Sequence, residues 1–124
     1  MASTYSKDIS MELVATGEKA GLWGTITNTN LKVLQTAVSG YTTVTLSTGT
    51  TTLDLSDGSA TADGKHMYIK LIGTLSGNSA LEIPATTSGG TANRVFFIED
   101  ATVRGATTNY TVQIFTTGQS GGTY

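Results

Sequence analysis

Apolar and polar residues alternate in several short runs after residue 40, a period that is typical of β-strands with one covered face. The longest run covers residues 66–72. One of its faces carries Met67, Ile69 and Leu71, and the other carries Tyr68, Lys70 and Ile72. Shorter alternations contain Val44 and Leu46, Leu53 and Leu55, Leu81 and Ile83, and Tyr110, Val112 and Ile114. Over the whole chain the pattern predicts about seven short strands.

Turn-forming residues separate these runs. Asp57-Gly58 and Asp63-Gly64 favour tight hairpins. Pro84 ends a strand because it has no amide hydrogen for the ladder. Short strands joined by tight turns are typical of sandwiches and barrels. We therefore expect a mainly β fold, a small antiparallel β-sandwich or barrel-like domain over residues 41–124. The continuous apolar run 95–98 is expected to be covered on both faces.

The N-terminal part of the chain follows a helical period instead. Leu31, Leu34 and Val38 recur at intervals of three and four residues, which places them on one stripe of a helix. Asn28 is suited to cap the start of this helix, and Gly40 to end it in the left-handed conformation. Because a helix of about eleven residues is marginal on its own, its apolar stripe is expected to dock on a sheet or on a partner subunit.

Trp23, the only tryptophan, precedes this stripe in a segment that contains Gly17, Gly21 and Gly24. The glycines predict a compact turn, since glycine adopts positive φ without steric cost. We expect Trp23 to be buried as the hydrophobic anchor of that turn. The alternative is an exposed aromatic contact for a partner protein or a sugar.

Residues 1–10 are polar and predict an extended arm. Apolar residues alternate over residues 9–15, which predicts a strand, with a helix as the alternative. The arm, the turn and the short helix together suggest that residues 1–40 form an N-terminal anchoring region. Residues 41–124 would then form a separate Thr/Gly-rich β domain.

The composition supports strands and limits the classes of function. The 124 residues include 25 Thr and 15 Gly, and only 13% are charged. Threonine is β-branched and suits pleated surfaces. A net charge of −2 without a basic cluster argues against a nucleic-acid partner. No apolar run approaches the ~20 residues of a membrane span, so membrane insertion is not expected either.

The residue patterns do not point to catalysis. His66 is the only histidine, so neither a His-based metal cluster nor a Ser-His-Asp triad can be assembled. Asp54, Asp57 and Asp63 do not have the spacing of a calcium loop, and the neighbouring carboxylates at 99–100 point to opposite faces of a strand. We expect no enzyme, and no catalytic residue, cofactor or metal site.

Three segments carry a resemblance to a known class of protein. They are S-T-Y-S-K-D at residues 3–8, M-E-L-V-A-T-G-E-K-A-G-L-W-G-T-I-T-N-T-N-L at residues 11–31, and I-G-T-L-S-G-N at residues 72–78. The chain resembles the N-terminal region of tail-fibre and related virion proteins of tailed phages, particularly phages of cyanobacteria and other marine bacteria. The resemblance implies a trimeric structural protein at the proximal end of a host-attachment appendage. Such proteins usually continue into further fibre, so we expect either continuation past Tyr124 or a short stand-alone member.

These observations lead to one main expectation of function. We expect a homotrimer that attaches a fibre to the phage tail and serves host adsorption, assembled in the host cytoplasm and located in the virion. Self-association is also favoured by the segments 67–72 and 95–98, which are apolar on both faces. The expected partners are the tail adaptor, the baseplate or other virion proteins. The residues expected at that contact are Tyr5, Trp23, Leu31 and Leu34.

Two other functions stay open. The first is a capsid decoration or knob protein, which would be present in many more copies per particle than a fibre. The second is a carbohydrate-binding module for receptor recognition, in which Tyr41, Tyr68 and Tyr110 would contact the sugar.

Overall fold

A computed structural model of the chain describes residues 3–118 and the backbone of residues 122–123. One α-helix, α1, covers Trp23–Ser39, and a turn of 3-10 helix covers Asp63–Lys65. The strands are, in chain order, β1 (Thr4–Tyr5), β2 (Glu12–Leu13), β3 (Tyr41–Thr45), β4 (Gly49–Thr52), β5 (Tyr68–Ile72), β6 (Ser79–Ile83), β7 (Thr86–Thr87), β8 (Gly90–Thr91), β9 (Phe97–Asp100), β10 (Val112–Thr116) and β11 (Gly122–Thr123).

The two largest sheets are built from parallel strands. One sheet has the order β3-β5-β9, and the other has the order β4-β6-β10, with β11 added antiparallel to β10. The chain therefore winds through three successive coils, and each coil gives one strand to each sheet. We call this part of the molecule the coil stack. Hydrogen bonds also join the coils at a corner, where Leu46 N–H donates to the Ile72 carbonyl at 2.8 Å.

The hydrophobic core lies inside the coil stack. Strand alternation sends every second side chain inward, and the inward positions of successive coils lie beside one another. The buried members of the core are Val44, Leu46, Leu53, Ile69, Leu71, Leu75, Leu81 and Val112. Phe96, Ile98, Tyr110, Ile83 and Ile114 pack against them and are partly buried. Each coil thus covers the apolar face of the next.

The predicted strand faces are confirmed, whereas the predicted antiparallel pairing of the main sheets is wrong. Ile69 and Leu71 are fully buried, and Tyr68 and Lys70 face outward, as the alternation indicates. Alternation identifies the covered face of a strand but carries no information about the direction of its partner. No barrel is formed by the part of the chain that the structure describes. The fold is a small domain that combines one helix with several small sheets.

The turn predictions have mixed outcomes. Asp57-Gly58 forms a turn as expected, but Asp63-Gly64 begins the 3-10 turn instead of a hairpin. Gly64 is required there by space, because a Cβ at this position would lie 2.6 Å from the Asp54 carbonyl oxygen. The run 95–98 is covered on one face only, and Val95 and Phe97 are 72% and 57% exposed. No part of the chain that the structure describes provides the predicted cover for its second face.

Helix α1 is longer than predicted. It has 17 residues and begins at Trp23, so Asn28 lies inside the helix and does not cap it; Leu22 precedes the helix and gives no side-chain cap. Gly40 ends the helix as predicted, but with φ of −72°, so the predicted left-handed conformation is wrong. Glycine is needed at this position for space, because a Cβ would lie 2.2 Å from the Thr36 carbonyl oxygen.

The N-terminal arm is folded onto the rest of the molecule. β1 and β2 pair antiparallel, which confirms the strand prediction at residues 12–13. The Thr87 hydroxyl donates to the Lys7 carbonyl at 2.7 Å, and Asn93 N–H donates to the Asp8 carboxylate at 2.9 Å. These two bonds fasten the arm to β7 and to the loop between β8 and β9.

Other expectations concern regions about which the structure says less. The glycines at 118, 121 and 122 predict a loose, turn-like tail over residues 118–124. Residues 119–121 and 124 lie outside the described residues, and the backbone of residues 122–123 pairs with β10. The division into regions 1–40 and 41–124 stays a prediction. In the described part of the chain, α1 is not a candidate for crossing a bilayer, because it falls short in length or apolar character.

Candidate assembly surface on helix α1

Helix α1 has one face on the protein and a second apolar face in solvent. Ile26 and Val33 are buried. On another side of the helix lie Trp23, Leu31, Leu34 and Val38, which are 54%, 59%, 46% and 63% exposed. We call these four residues the α1 ridge. At 100° per residue they occupy one stripe, rotated about 110° from the line through Ile26 and Val33.

Specific contacts hold the helix in this orientation. The Asn30 side chain forms two hydrogen bonds with the Glu12 backbone of β2, accepting from its N–H at 3.0 Å and donating to its carbonyl at 2.9 Å. Lys19, just before the helix, pairs with the Glu12 carboxylate at 3.6 Å. The C-terminal half of the helix lies near the 3-10 turn at residues 63–65. The other faces of the helix contact the rest of the chain, and the α1 ridge stays exposed to solvent.

Trp23 is exposed, so the expectation that it is a buried anchor is wrong. Gly17 and Gly21 have φ of +81° and +79°, and the turn that they form ends directly before the helix. The tryptophan is therefore the first helical residue instead of a member of the turn. Leu22 beside it is 51% exposed. The alternative, an exposed aromatic contact, agrees with this placement.

The structure brings three of the four predicted contact residues together. Trp23, Leu31 and Leu34 share the α1 ridge, and Val38 extends it. Tyr5 lies elsewhere, on β1, and its ring approaches Gly58. It is half-buried. Docking of the ridge on a sheet of the same chain is wrong, whereas docking on a partner stays a prediction.

A second exposed apolar row crosses the outer face of the sheet β3-β5-β9. Tyr41 lies opposite Tyr68, and Tyr68 lies opposite Phe97. The three side chains are 56%, 36% and 57% exposed. We call them the aromatic row. The rings of Tyr41 and Tyr68 stack with centroids 5.3 Å apart and planes inclined by 22°.

Charged groups lie directly beside the aromatic row. The Tyr68 hydroxyl donates to Glu99 Oε2 at 2.5 Å, and Lys70 Nζ lies 3.4 Å from Glu99 Oε1. The hydrogen bond to Glu99 raises the pKa of Tyr68, and the same bond holds the pKa of Glu99 below its usual value. Phe97 was missed as a member of the row because its alignment depends on the register between coils. Tyr110 is not part of this surface, since it packs against the core.

The residues considered above for catalysis or metal binding form hydrogen bonds with nearby backbone and hydroxyl groups. His66 Nδ1 lies 3.1 Å from the Asp63 carbonyl oxygen, and Asp63 accepts a hydrogen bond from the Thr42 hydroxyl. Asp54 accepts from Ser56. Within the described residues, no group of three or more His, Cys, Asp or Glu side chains is arranged to hold a metal ion.

Comparison with known proteins gives no further guidance about this surface. No family model, no curated protein and no solved structure matches the chain.

Proposed function

We propose that this protein is a non-enzymatic structural component that assembles through the α1 ridge. Its proposed place is the N-terminal anchoring part of a trimeric tail fibre, in the virion of a tailed phage. The observation that carries the assembly role is the exposure of four large apolar side chains on one helix face. The assignment to a virion is supported by the resemblance of residues 3–8, 11–31 and 72–78 to tail-fibre proteins.

The size of the ridge favours a contact with other protein. Full burial of a large apolar side chain is worth about 1.5–3 kcal/mol, so four half-exposed residues contribute several kcal/mol per copy. Association costs about 4–15 kcal/mol in lost translational and rotational freedom. Burial of the ridge in several copies together is of the size needed to offset that cost. A homotrimer is the assembly that we propose.

The charge around the ridge is compatible with self-contact. Lys32 is the only charged residue within α1, so copies of the helix that approach one another meet little repulsion. The flanking positions are uncharged amides and small residues, among them Asn28, Gln35 and Ala37. A tail adaptor or baseplate protein would then bind a surface formed by the assembled N-terminal regions.

Sedimentation equilibrium tests the assembly role. The unmodified chain is expected to sediment at three times 12.8 kDa, and Leu34→Ser is expected to sediment as a single chain. Val103→Ser is the matched control, because Val103 is 59% exposed but lies outside the ridge. A single-chain mass for the unmodified protein would reject self-assembly. Loss of assembly in both variants would reject the ridge as its location.

The virion assignment needs a separate experiment. Quantitative mass spectrometry of purified particles is expected to find the copy number of a few trimeric fibres. A copy number close to that of the shell protein would support the decoration function instead. Absence of the protein from particles that contain all other structural proteins would overturn the virion assignment.

A second candidate function, carbohydrate recognition, is favoured by the aromatic row. Aromatic rings beside Lys70 and Glu99 offer an apolar surface and hydrogen-bonding groups together, as binding sites for small polar molecules do. Because Tyr41 and Tyr68 stack on each other, a sugar would meet ring edges and hydroxyl groups more than ring faces. Glycan-array binding that is lost in Tyr68→Ala and retained in Tyr110→Phe would support this function.

A further inference from the structure

A small cavity lies beside the coil stack, away from the α1 ridge and the aromatic row. Its volume is about 270 Å³, and its lining is mainly apolar. Leu55, Ile83, Pro84 and Phe96 contribute hydrocarbon surface, and Arg94 is the only charged residue in the lining. The volume is slightly below the usual range for drug-sized ligands. An occupant would be a small molecule or the end of a side chain or peptide.

Arg94 is held in a fixed position at the wall of this cavity. Its Nη2 donates to the Lys65 carbonyl at 2.9 Å, and its Nη1 donates to the Gly64 carbonyl. The guanidinium carbon lies 5.0 Å from the centre of the Phe96 ring. A guanidinium has five N–H donors. Donors therefore remain beyond the two that these carbonyls accept.

A second positive charge lies next to Arg94. Lys65 is fully buried, and its ammonium group donates to the Leu55 carbonyl at 3.2 Å. Burial, together with the charge of the nearby Arg94, lowers the pKa of Lys65 to about 8. Burial likewise lowers the pKa of Arg94. Both groups are thus in surroundings that oppose their positive charge.

The carboxylates near this pair act without contact. Asp54 and Asp57 favour the charged form of Lys65 through space, and Asp8 does the same for Arg94. Asp8 is itself engaged with Lys7 and Asn93, and Asp54 with Ser56. The ion pairs found among the described residues involve neither cation of the pair. A buried cation without a contacting anion is costly.

We propose that this cavity binds a carboxylate carried on a short aliphatic group, with Arg94 as the residue that binds the carboxylate. Guanidinium groups match the planar geometry of carboxylates and bind them through paired hydrogen bonds. The apolar lining selects an aliphatic body, and the volume limits its length. The source of the carboxylate is either a free acid or the end of a partner polypeptide. This site is independent of the proposed assembly through α1.

Titration of the full chain with hexanoate, followed by ¹H–¹⁵N NMR, tests the proposal. Saturable shifts are expected at the amides of Thr91, Ala92 and Phe96, and hexanol is expected to bind at least about tenfold more weakly because it lacks the charge. Equal affinity for hexanol, or no saturable shift with hexanoate at millimolar concentration, would overturn the proposal.

Three variants locate the binding. Arg94→Gln is expected to weaken hexanoate binding at least about tenfold. Ala92→Leu is expected to abolish binding, because it fills the cavity while Lys65 and Arg94 are retained. Arg104→Gln is the matched control, since Arg104 pairs with Asp100 outside the cavity. If Arg94→Gln fails to fold, Ala92→Leu decides the question. Undiminished binding in Ala92→Leu would exclude this cavity.

Two further measurements complete the test. Hexanoate is expected to raise the titration midpoint of the Lys65 Cε resonance, because an anion favours the charged ammonium. An unchanged midpoint would place the anion away from the pair and overturn the proposal. A short peptide that ends in leucine with a free carboxylate is compared with hexanoate. Tighter binding of the peptide would indicate a polypeptide as the source of the carboxylate, and tighter binding of hexanoate would indicate a free acid. The same peptide with a C-terminal amide is expected not to bind.

Discussion

The inward and outward faces of the same strands both carry large apolar or aromatic side chains, yet only the inward face is covered. In β5, Ile69 and Leu71 are fully buried, whereas Tyr68 on the other face is 36% exposed. Helix α1 repeats the contrast in neighbouring residues, with Val33 fully buried and Leu34 46% exposed. The inward faces are covered by the next coil of the same chain. Among the described residues the outward faces have no such neighbour, so we propose that another molecule covers them.

Leucine-to-alanine substitutions on the two faces give the largest expected difference. Leu71→Ala is expected to lower the free energy of unfolding by about 2–5 kcal/mol, because it leaves a cavity in the core. Leu34→Ala is expected to change the stability of the isolated chain by less than about 0.5 kcal/mol. Urea unfolding of both variants at low protein concentration measures the two values. Similar losses would show that the ridge is covered in solution.

Replacement of the buried cation is the next largest effect. A pKa lowered from 10.5 to about 8 corresponds to about 3 kcal/mol of unfavourable interaction of the charged form. Lys65→Met is therefore expected to raise the free energy of unfolding at pH 7 by up to about 3 kcal/mol, less the lost hydrogen bond to Leu55. Lys70→Met is the control, because Lys70 is partly exposed beside the aromatic row and pairs with Glu99. A destabilised Lys65→Met variant would contradict the prediction.

The lowered pKa of Lys65 predicts that the stability of the protein rises with pH. Between the folded pKa of about 8 and the unfolded value near 10.4, the unfolded chain binds more protons at Lys65, so the free energy of unfolding increases with pH. Tyr68 has the opposite effect only above its ordinary pKa near 10, because its pKa is raised in the folded state. Urea midpoints from pH 7.5 to 9.5 are expected to rise for the unmodified chain and to stay flat for Lys65→Met. A falling profile would show that Lys65 is not the dominant group.

Glycine-to-alanine substitutions at the two ends of α1 give smaller effects of opposite sign. Gly40→Ala is expected to cost about 1–3 kcal/mol, because the new methyl group would clash with the Thr36 carbonyl and force the backbone to shift. Gly24→Ala meets open space and is expected to stabilise the helix by about 0.5 kcal/mol. Thermal unfolding of both variants measures the difference. Equal effects would show that Gly40 is not held between the helix and β3.

The sequence predicts which residues share a face much better than it predicts what lies opposite them. Alternation gives the two faces of β5, and helical spacing gives the stripe of Leu31, Leu34 and Val38. The parallel stacking of coils escapes prediction, because the chain lengths between paired strands are unequal and leave no regular repeat. The exposure of Trp23 depends on where the preceding turn ends, which is set by the backbone of Gly17 and Gly21.

The proximity of Arg94, in the cavity wall, to the buried Lys65 was not predictable from the sequence either. Lys65 and Arg94 are far apart along the chain and lie in segments without a recognisable motif. They meet because Arg94 reaches the backbone carbonyls of Gly64 and Lys65. Every residue has a backbone carbonyl, so the sequence does not indicate which residue accepts a hydrogen bond from Arg94. At this site too, the sequence does not predict which residues become neighbours in the fold.

The fastening of the arm gives the molecule a mechanical property. Lys7 and Asp8 are tied to Thr87 and Asn93, residues that are 80 and 85 positions further along the chain. A force that pulls on the N-terminus would first load the β1–β2 pairing and then, through residues 7–8, the segment 87–93. Because closing so long a loop costs chain entropy, we expect these two hydrogen bonds to form late in folding and to open after the β1–β2 pairing under load.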